Sequence, residues 1–191
     1  MVNASLAAKE FSMRVIYDAY SLETIDQFDS TSFPTDRVRF NSFFSEMKYN
    51  FKPSSKLTIT PKLNYKAATP WQTANSLLFP FNIKTTRFSP SINANWDASP
   101  VVNIVGGVDS YFDQAIQKND SIIGYFNNGS NTVNYNNIGV FAQLHLKNKF
   151  IPLFIGARLD NHNQFGYAFS PRVGITKVYE KLSGWMVFCC K

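Results

Sequence analysis

The chain has 191 residues and a formal net charge of +6, with 17% charged and 16% aromatic residues. This length is enough for one domain with a core. No run approaches the roughly 18 consecutive apolar residues of a membrane-spanning helix, which excludes a helical membrane protein but not a β-barrel, whose strands are short and half apolar. The Lys and Arg residues are dispersed singly rather than clustered among aromatics, which argues against nucleic-acid binding.

Alternation of apolar and polar residues recurs along the first two thirds of the chain. Successive side chains of a strand point to opposite faces, so this period of two predicts strands with one apolar and one polar face. In the clearest segment Leu57, Ile59 and Leu63 share one face. Pro61 and Pro90 fall inside two segments, where a proline removes a ladder hydrogen bond, so they mark either bulges or strand limits. The predicted strands cover residues 2–8, 11–20, 38–51, 56–66, 87–96 and 102–116.

The connections between the predicted strands alternate between short and long. A transmembrane β-barrel has this asymmetry, with short turns on the periplasmic rim and long loops on the extracellular rim. Its strands need roughly 9–11 residues to cross the bilayer, whereas a soluble sandwich has no reason to sort its connections. Short turns are predicted at 9–10, 52–55, 97–100 and 148–149, and longer loops near 21–36, 67–81, 117–136 and 160–167.

Three further alternating segments lie between residues 137 and 177 and read GVFAQLHL, LFIGARLDNHNQFG and AFSPRVGI. They predict a meander of antiparallel strands. In order, spacing and residue type they resemble the barrel of TonB-dependent outer-membrane receptors, in which a GVFAQ strand, a GARYD strand and an FSPRVG strand follow one another. The chain departs from the family at Leu159, which occupies the aromatic position of GARYD.

The resemblance implies an all-β protein whose antiparallel meander forms part of a transmembrane β-barrel. Residues 1–180 would be about nine strands of a barrel that has about twenty-two strands around a plug in the family. Residues 181–191, where the alternation breaks, are expected to be an irregular C-terminal tail. The N-terminal sequence MVNASLAAKEF lacks the basic segment and apolar core of a secretory signal, so the barrel interpretation predicts a fragment whose natural beginning lies upstream.

The resemblance also implies the activity and partners of the intact receptor. It would import an iron chelate (siderophore), cobalamin or a similar scarce nutrient by energy-coupled transport through the outer membrane of a Gram-negative bacterium. Its partners would be outer-membrane lipid, the nutrient ligand, and TonB, the last only through an N-terminal region that this chain lacks. No nucleic acid and no cofactor are expected, and the chain is not expected to be an enzyme.

The barrel interpretation predicts which way each strand face points. Charged groups at bilayer depth are costly, so basic strand residues should point into the lumen. Aromatic residues near strand ends should form girdles at the two membrane interfaces. The predicted lumenal residues are Lys56, Lys62, Arg87, Arg158 and Arg172, and the predicted girdle residues are Tyr49, Phe51, Tyr65, Trp96 and Tyr179.

Two kinds of residue are candidates for ligand binding. Arg87 and Arg158 could hold an anionic chelate, although lumenal basic residues also pair with acids of the plug or of neighbouring strands. Aromatic residues of the long loops could close over the ligand. These loop aromatics are Trp71, Phe79, Tyr125 and Phe126.

No pattern in the sequence predicts catalytic or metal-binding residues. No Cys/His/Asp/Glu group has metal-ligand spacing, and no nucleotide-binding or nucleophile-elbow motif occurs. His145 on the polar face of its strand and His162 in a loop are interpreted as structural or solvated. Cys189 and Cys190 are adjacent, which disfavours a disulfide between them and indicates no compartment.

Three other interpretations stay open. A self-contained outer-membrane barrel of eight strands with a structural or adhesion role fits the length, but not the odd strand count or the missing signal. An outer-membrane barrel enzyme such as a lipid hydrolase needs a Ser–His pair on facing strands, for which His145 is the only inward histidine. A soluble β-sandwich lectin would dissolve without detergent.

Overall fold

The computed structural model describes residues 1–24, 36–73, 82–119, 122–126, 128–147, 152–179 and 182–189. These residues form an all-β structure, and none of them belongs to a helix that is long and apolar enough to cross a membrane. The strands in chain order are β1 (Val2–Ala8), β2 (Phe11–Thr24), β3 (Asp36–Tyr49), β4 (Phe51–Ser54), β5 (Leu57–Thr73), β6 (Asn82–Ser99), β7 (Val102–Gln117), β8 (Thr132–Leu146), β9 (Leu153–His162), β10 (Gly166–Tyr179) and β11 (Leu182–Cys189).

Neighbouring strands pair antiparallel throughout a single sheet. The order across the sheet is β1-β2-β3-β5-β6-β7-β8-β9-β10-β11, and β4 pairs with β5. β4 continues β3 in the same register, since Met47 pairs with Leu63 and Phe51 with Ile59. No pairing within the described ranges joins β1 to β11, so the sheet is open. The predicted all-β antiparallel meander is therefore confirmed, as an open, barrel-like sheet.

The sheet is a single layer without a packed core. Directly opposite residues of neighbouring strands lie on the same face, so the alternation within each strand produces one apolar and one polar face. Among the side chains that the structure describes, Val38 and Ala68 are the only buried apolar ones, 2% and 9% exposed. The remaining apolar side chains of the sheet are therefore left partly or fully uncovered.

The strands extend beyond their predicted limits toward the long connections. The loops predicted near 21–36, 67–81 and 117–136 are wrong where β2, β3, β5, β7 and β8 reach into them. Residues 25–35 and 74–81 lie outside the described ranges. The alternation ends before the strands do because ladder hydrogen bonds are made by the backbone and need no apolar face.

The short turns lie close to their predicted places. The turn at 9–10 between β1 and β2 is confirmed, and the turns predicted at 52–55 and 97–100 are displaced because β4 and β6 continue into them. The turn predicted at 148–149 lies outside the described residues.

The prolines inside β5 and β6 interrupt neither strand. Pro61 and Pro90 pair in unbroken register, so the prediction that they mark bulges or strand limits is wrong. The register of this strand pair shifts instead between Ala68 and Trp71, around Pro70. A proline cannot donate a ladder hydrogen bond, and an extra residue at Pro70 accommodates that loss.

The end of the chain is a strand rather than the predicted irregular tail. Leu182–Cys189 form β11, which pairs with β10 from Tyr179 opposite Leu182 to Arg172 opposite Cys189. Within the described ranges the sheet thus has eleven strands, where the sequence predicts about nine. The edge of β10 offers a row of unpaired backbone groups, and a following segment can fill that edge whatever its side-chain pattern.

Candidate functional site

The register of the strands sorts the side chains onto two opposite faces. The polar face is the side of the sheet on which Lys62 lies opposite Ser91 and Ser91 lies opposite Asp109. The apolar face is the other side, on which Tyr65 lies opposite Phe88. Charged residues of the polar face include Arg14, Asp18, Glu46, Lys48, Lys62, Lys66, Arg87, Asp97, Asp109, Asp113, Arg158, Asp160 and Arg172. Exposed residues of the apolar face include Tyr17, Tyr49, Phe51, Tyr65, Phe88, Ile92, Trp96, Val108, Phe112, Val140, Ile155, Leu159, Phe169 and Val173.

An aromatic row crosses the apolar face on five neighbouring strands, and it consists of Tyr17, Phe43, Tyr65, Phe88 and Phe112. The ring centroids of Phe43 and Tyr65 are 6.3 Å apart, and those of Phe88 and Phe112 are 6.2 Å apart. Toward the long connections, the next residues on this face are small or polar: Ala19, Asn41, Ala67, Thr86 and Gln114.

A second aromatic level lies at the short-turn end of the apolar face, where Tyr49, Phe51 and Trp96 are exposed. From Phe88 to Trp96, β6 advances roughly 26 Å at about 3.3 Å per residue. Four of the five predicted girdle residues thus lie near one of two aromatic levels, since Tyr65 belongs to the aromatic row. The side chain of the fifth, Tyr179, lies outside the described residues.

Arg158 on β9 holds two carboxylates on the polar face. Its Nη1 and Nη2 donate to Asp109 at 2.7 and 2.8 Å, and its Nε and Nη2 donate to Asp160, both at 2.7 Å. Asn137 Nδ2 also donates to Asp160 Oδ1, at 2.8 Å. The side chains of Arg158, Asp109 and Asp160 are 28%, 34% and 22% exposed. Bidentate arginine–carboxylate bonds of this kind are among the strongest in proteins.

Gly139 makes the Arg158 contacts sterically possible. It lies on β8, directly opposite Asp109 on β7 and Asp160 on β9. A Cβ at this position would collide with the Arg158 guanidinium and would lie 2.7 Å from Asp160 Oδ1. The side chain of Arg158 therefore crosses β8 above a residue without a side chain. Arg158 is predicted from the sequence as a candidate residue, whereas Asp109, Gly139 and Asp160 are not predicted as its partners.

Arg87 on β6 has a carboxylate partner as well. It is opposite Asp113, to which its Nε and Nη2 donate at 2.6 and 2.5 Å. Its guanidinium carbon lies 4.9 Å from the ring centroid of Tyr111, within the range of a cation–π contact. Tyr111 in turn is opposite Asn137, which binds Asp160. The structure thus places the two predicted arginines in one polar region that extends from β6 to β9.

Two phenylalanines of the polar face lie flat over glycines. Phe154 is opposite Gly174 and Phe141 is opposite Gly107. A Cβ on Gly174 would collide with the Phe154 ring, and a Cβ on Gly107 would lie 3.1 Å from Phe141 Cε1. Aromatic side chains commonly cover strand glycines in this way, and here they keep bulky rings close to the sheet.

Trp71 lies in β5 and not in a loop, so that part of the prediction is wrong. Its ring meets Phe40 nearly edge-on at 5.6 Å, and Phe40 stacks on Tyr20 at 4.7 Å. Trp71 and Tyr20 are 46% and 52% exposed. They form an uncovered aromatic cluster toward the long connections. Phe79 lies outside the described residues.

Tyr125 and Phe126 lie in the connection between β7 and β8, as predicted, and their rings meet edge to face at 5.1 Å. Asn131 organises the described part of this connection. Its Nδ2 donates to the carbonyl of Ile122, and its Oδ1 accepts the backbone N–H of Tyr125 at 3.2 Å. Gly129, with a φ of 70°, donates its N–H to the Phe126 carbonyl at 2.8 Å. Glycine adopts this left-handed conformation without steric cost.

His162 is the last residue of β9, so the loop predicted at 160–167 is reduced to residues 163–165. Its Nδ1 accepts the backbone N–H groups of Gln164 and Phe165 at 3.0 and 3.3 Å. The imidazole therefore closes the turn between β9 and β10, much as an Asx side chain does. Polar residues near a strand end resemble a loop in the sequence, which explains the wrong prediction.

His145 stacks on Phe154 of the neighbouring strand, with 6.0 Å between the ring centroids. It borders a groove of about 400 Å³ together with Asp97, Asn103 and Lys147, and the described residues that line this groove include no serine. His162 shares the polar face, where it lies opposite Asn137, so His145 is not the only histidine on this face.

The described residues contain no group of three or more His, Cys, Asp or Glu that could hold a metal ion. The chain matches no protein-family model and no curated protein sequence. The fold and the site therefore define the class of protein by physical properties alone. It is an open antiparallel sheet, one layer thick, with an uncovered apolar face and a polar face that carries arginine–carboxylate pairs.

Proposed function

We propose that the chain is a segment of the barrel wall of a TonB-dependent outer-membrane receptor. In the intact receptor, the apolar face meets lipid and the polar face lines the lumen, through which a siderophore, cobalamin or similar nutrient is imported by energy-coupled transport. One observation carries this proposal: between the two aromatic levels, large apolar side chains are exposed on one face of the sheet and the charged residues lie on the other. Contact of such a face with water is unfavourable, whereas lipid covers it.

The dimensions of the apolar face support the proposal. Transmembrane barrels carry an apolar band about 25 Å tall between two aromatic girdles. The aromatic row and the level of Tyr49, Phe51 and Trp96 are roughly 26 Å apart along β6, which is about 20 Å along the membrane normal at the strand tilt of such barrels. The long connections lie beyond the aromatic row and the short turns beyond the other level, as expected for the extracellular and periplasmic rims.

The predicted ligand residues divide into two roles in this proposal. Trp71, Tyr125 and Phe126 lie toward the long connections, where a ligand would arrive from outside, and we assign ligand contact to them. Arg87 and Arg158 are each held by carboxylates, so their first role is to stabilise the wall. The segment itself performs no reaction and uses no cofactor in this proposal.

The chain's tryptophans offer a direct test of the two faces. Trp96 lies on the apolar face and Trp71 on the polar face. Trp71→Phe/Trp185→Phe leaves Trp96 as the only tryptophan, and Trp96→Phe/Trp185→Phe leaves Trp71. In vesicles of brominated lipid, the fluorescence of Trp96 should be quenched, and that of Trp71 should instead be quenched by acrylamide from the water. A lack of quenching of Trp96 by the lipid would contradict lipid contact at the apolar face. Trp71, which lies beyond the aromatic row toward the long connections, serves as the reference for a residue outside the bilayer.

The edge strand β1 favours a wall segment over a self-contained small barrel. Natural sheet edges are protected by charges, prolines or bulges, but Val2–Ala8 read VNASLAA and pair with β2 in unbroken register. Such an edge is suited to pairing with a further strand. Peptides of this sequence from an outer-membrane fraction should therefore belong to a polypeptide well above 21.7 kDa. A heat-modifiable band at that mass would favour the self-contained barrel with a structural or adhesion role.

A further inference from the structure

Four hydrogen-bonding side chains form a row across the polar face, nearer to the short turns than to the long connections. Ser12 on β2 is opposite Lys48 on β3, Lys48 is opposite Lys62 on β5, and Lys62 is opposite Ser91 on β6. We call these four residues the lysine row. Directly opposite residues have Cβ atoms about 4.5–5.5 Å apart, so the long side chains of Lys48 and Lys62 can converge beside the Ser91 hydroxyl. Ser12 lies three strands away from Ser91, roughly 14 Å at the usual strand spacing.

The lysine row is electrostatically unfavourable as it stands. Neither Lys48 nor Lys62 makes an ion pair in the part of the chain that the structure describes. Like charges directly opposite one another destabilise a sheet. In addition, Ser91 Oγ is buried without a hydrogen-bond partner, and an unmade hydrogen bond of a buried group has a free-energy cost. Both penalties would disappear if an anion occupied the row.

The surrounding residues of the polar face do not neutralise the row. Asp109, opposite Ser91, is held by Arg158. Glu46 is two residues from Lys48 along β3 and forms no ion pair within the described residues, while Arg14 opposite Glu46 adds another positive charge. The region around the row therefore keeps a surplus of positive charge.

We propose that the lysine row is a binding site for a small phosphate-type oxyanion. A tetrahedral oxyanion presents several acceptor oxygens, which match the N–H donors of Lys48 and Lys62 and the O–H donor of Ser91. Its negative charge offsets the lysine–lysine repulsion, and one of its oxygens accepts the bond that Ser91 Oγ lacks. The inference goes beyond the wall-segment function, because it requires only that the polar face is open to water.

Inorganic phosphate is the probe that tests this site. The full chain is refolded in detergent micelles, and its melting temperature and phosphate affinity are measured at constant pH and ionic strength. Phosphate should raise the melting temperature, sulfate should act similarly, and chloride should not. No binding of phosphate, or an equal effect of chloride, would overturn the proposal. The test does not depend on lipid, so its failure would leave the tryptophan experiment unaffected.

Variants distinguish a specific phosphate site from nonspecific attraction of phosphate to a basic protein. Lys48→Gln and Lys62→Gln should each weaken phosphate binding about tenfold or more, and each should raise the melting temperature without phosphate because the repulsion is gone. Ser91→Ala, which changes no charge, should also weaken binding. Lys147→Gln is the matched control, since Lys147 is paired with Asp97 at 3.5 Å. An equal loss of affinity in this control would show unspecific attraction and contradict the site.

Discussion

Arg158 reaches Asp109 only because position 139, on the strand between them, has no side chain. The contact thus depends on two residues. Arg158 makes it, and Gly139 permits it because a glycine has no side chain. Four short hydrogen bonds hold the guanidinium between two carboxylates. At partial burial such charge-assisted bonds contribute more than an exposed ion pair does.

Replacing Arg158 by glutamine should destabilise the sheet. Arg158→Gln leaves Asp109 and Asp160 facing each other without a cation, and we expect a loss of about 1–2 kcal/mol in the free energy of unfolding. Urea titration of the protein in micelles measures this change. Lys147→Gln is the control, because its ion pair with Asp97 is 60% and 50% exposed, and it should cost less than about 0.5 kcal/mol. Equal losses for both would show that the Arg158 bonds add no stability of their own.

Gly139→Ala should be costly only while Arg158 is present. The new methyl group would displace the guanidinium from its bonds, so we expect a loss of about 1 kcal/mol or more in the wild-type background. In the Arg158→Gln background the same substitution should be nearly neutral. A double-mutant cycle in micelles yields the coupling energy between the two positions. If alanine costs the same in both backgrounds, the glycine serves the backbone and not the arginine.

At the scale of the strand, period-two alternation is a local property, and this is why strands such as β5, β6 and β8 could be predicted from the sequence. Register is not local. The neighbours of Arg158 depend on how β7, β8 and β9 align, so the arginine could be selected as polar but Asp109 could not be recognised as its partner. The extent of strands beyond the alternation, as at Trp71 and His162, also depends on backbone pairing that the side-chain pattern does not reveal.

The same added charge should destabilise the protein strongly on the apolar face of β6 and only weakly on its polar face. Ile92 lies midway between Phe88 and Trp96 on the apolar face, and Asn93 is its neighbour on the polar face. In lipid vesicles Ile92→Lys should cost about 2–4 kcal/mol, as for a lysine at the bilayer midplane, whereas Asn93→Lys should cost below about 1 kcal/mol. Unfolding of the two variants from vesicles measures both values. A similar cost at the two positions would argue against lipid on the apolar face.

The connection between β7 and β8 should loosen when its organising side chain is removed. Asn131→Ala deletes the bonds to Ile122 and to the Tyr125 N–H, so amide hydrogen exchange of residues 122–126 should be faster by about tenfold. Asn131→Asp keeps the acceptor for Tyr125 but loses the donor to Ile122, and it should fall in between. Unchanged exchange in the alanine variant would show that other contacts order this connection.

At the scale of the whole molecule, the open sheet has two edges, β1 and β11, and the edge strand β1 carries no charged residue and no proline. Backbone N–H and C=O groups at such an edge can pair with any available strand. Neither the apolar face nor this edge is satisfied by the described chain alone, which is why we interpret it as a wall segment. β11 follows the same rule, because its backbone pairs with the edge of β10 although the side-chain pattern of this segment does not predict a strand.

The isolated chain should associate through β1. In detergent we expect oligomers whose size increases with protein concentration, measured by light scattering after size exclusion. Ala7→Lys places an edge-protecting charge on β1 and should shift the protein toward the monomer. Asn93→Lys adds the same charge to the polar face of a central strand and should leave association unchanged. Unchanged association of the Ala7→Lys variant would place the contact elsewhere.

The meander has a consequence for how such a sheet can change during evolution. Apart from the short β4, which continues β3, each strand pairs only with the strands before and after it along the chain. A hairpin can therefore be deleted or duplicated without breaking any contact between the strands that remain on either side. The two flanking strands keep their direction and can pair with each other antiparallel. A gene that encodes this architecture can therefore grow or shrink in steps of two strands, and each step changes the width of the wall while both faces keep their chemistry.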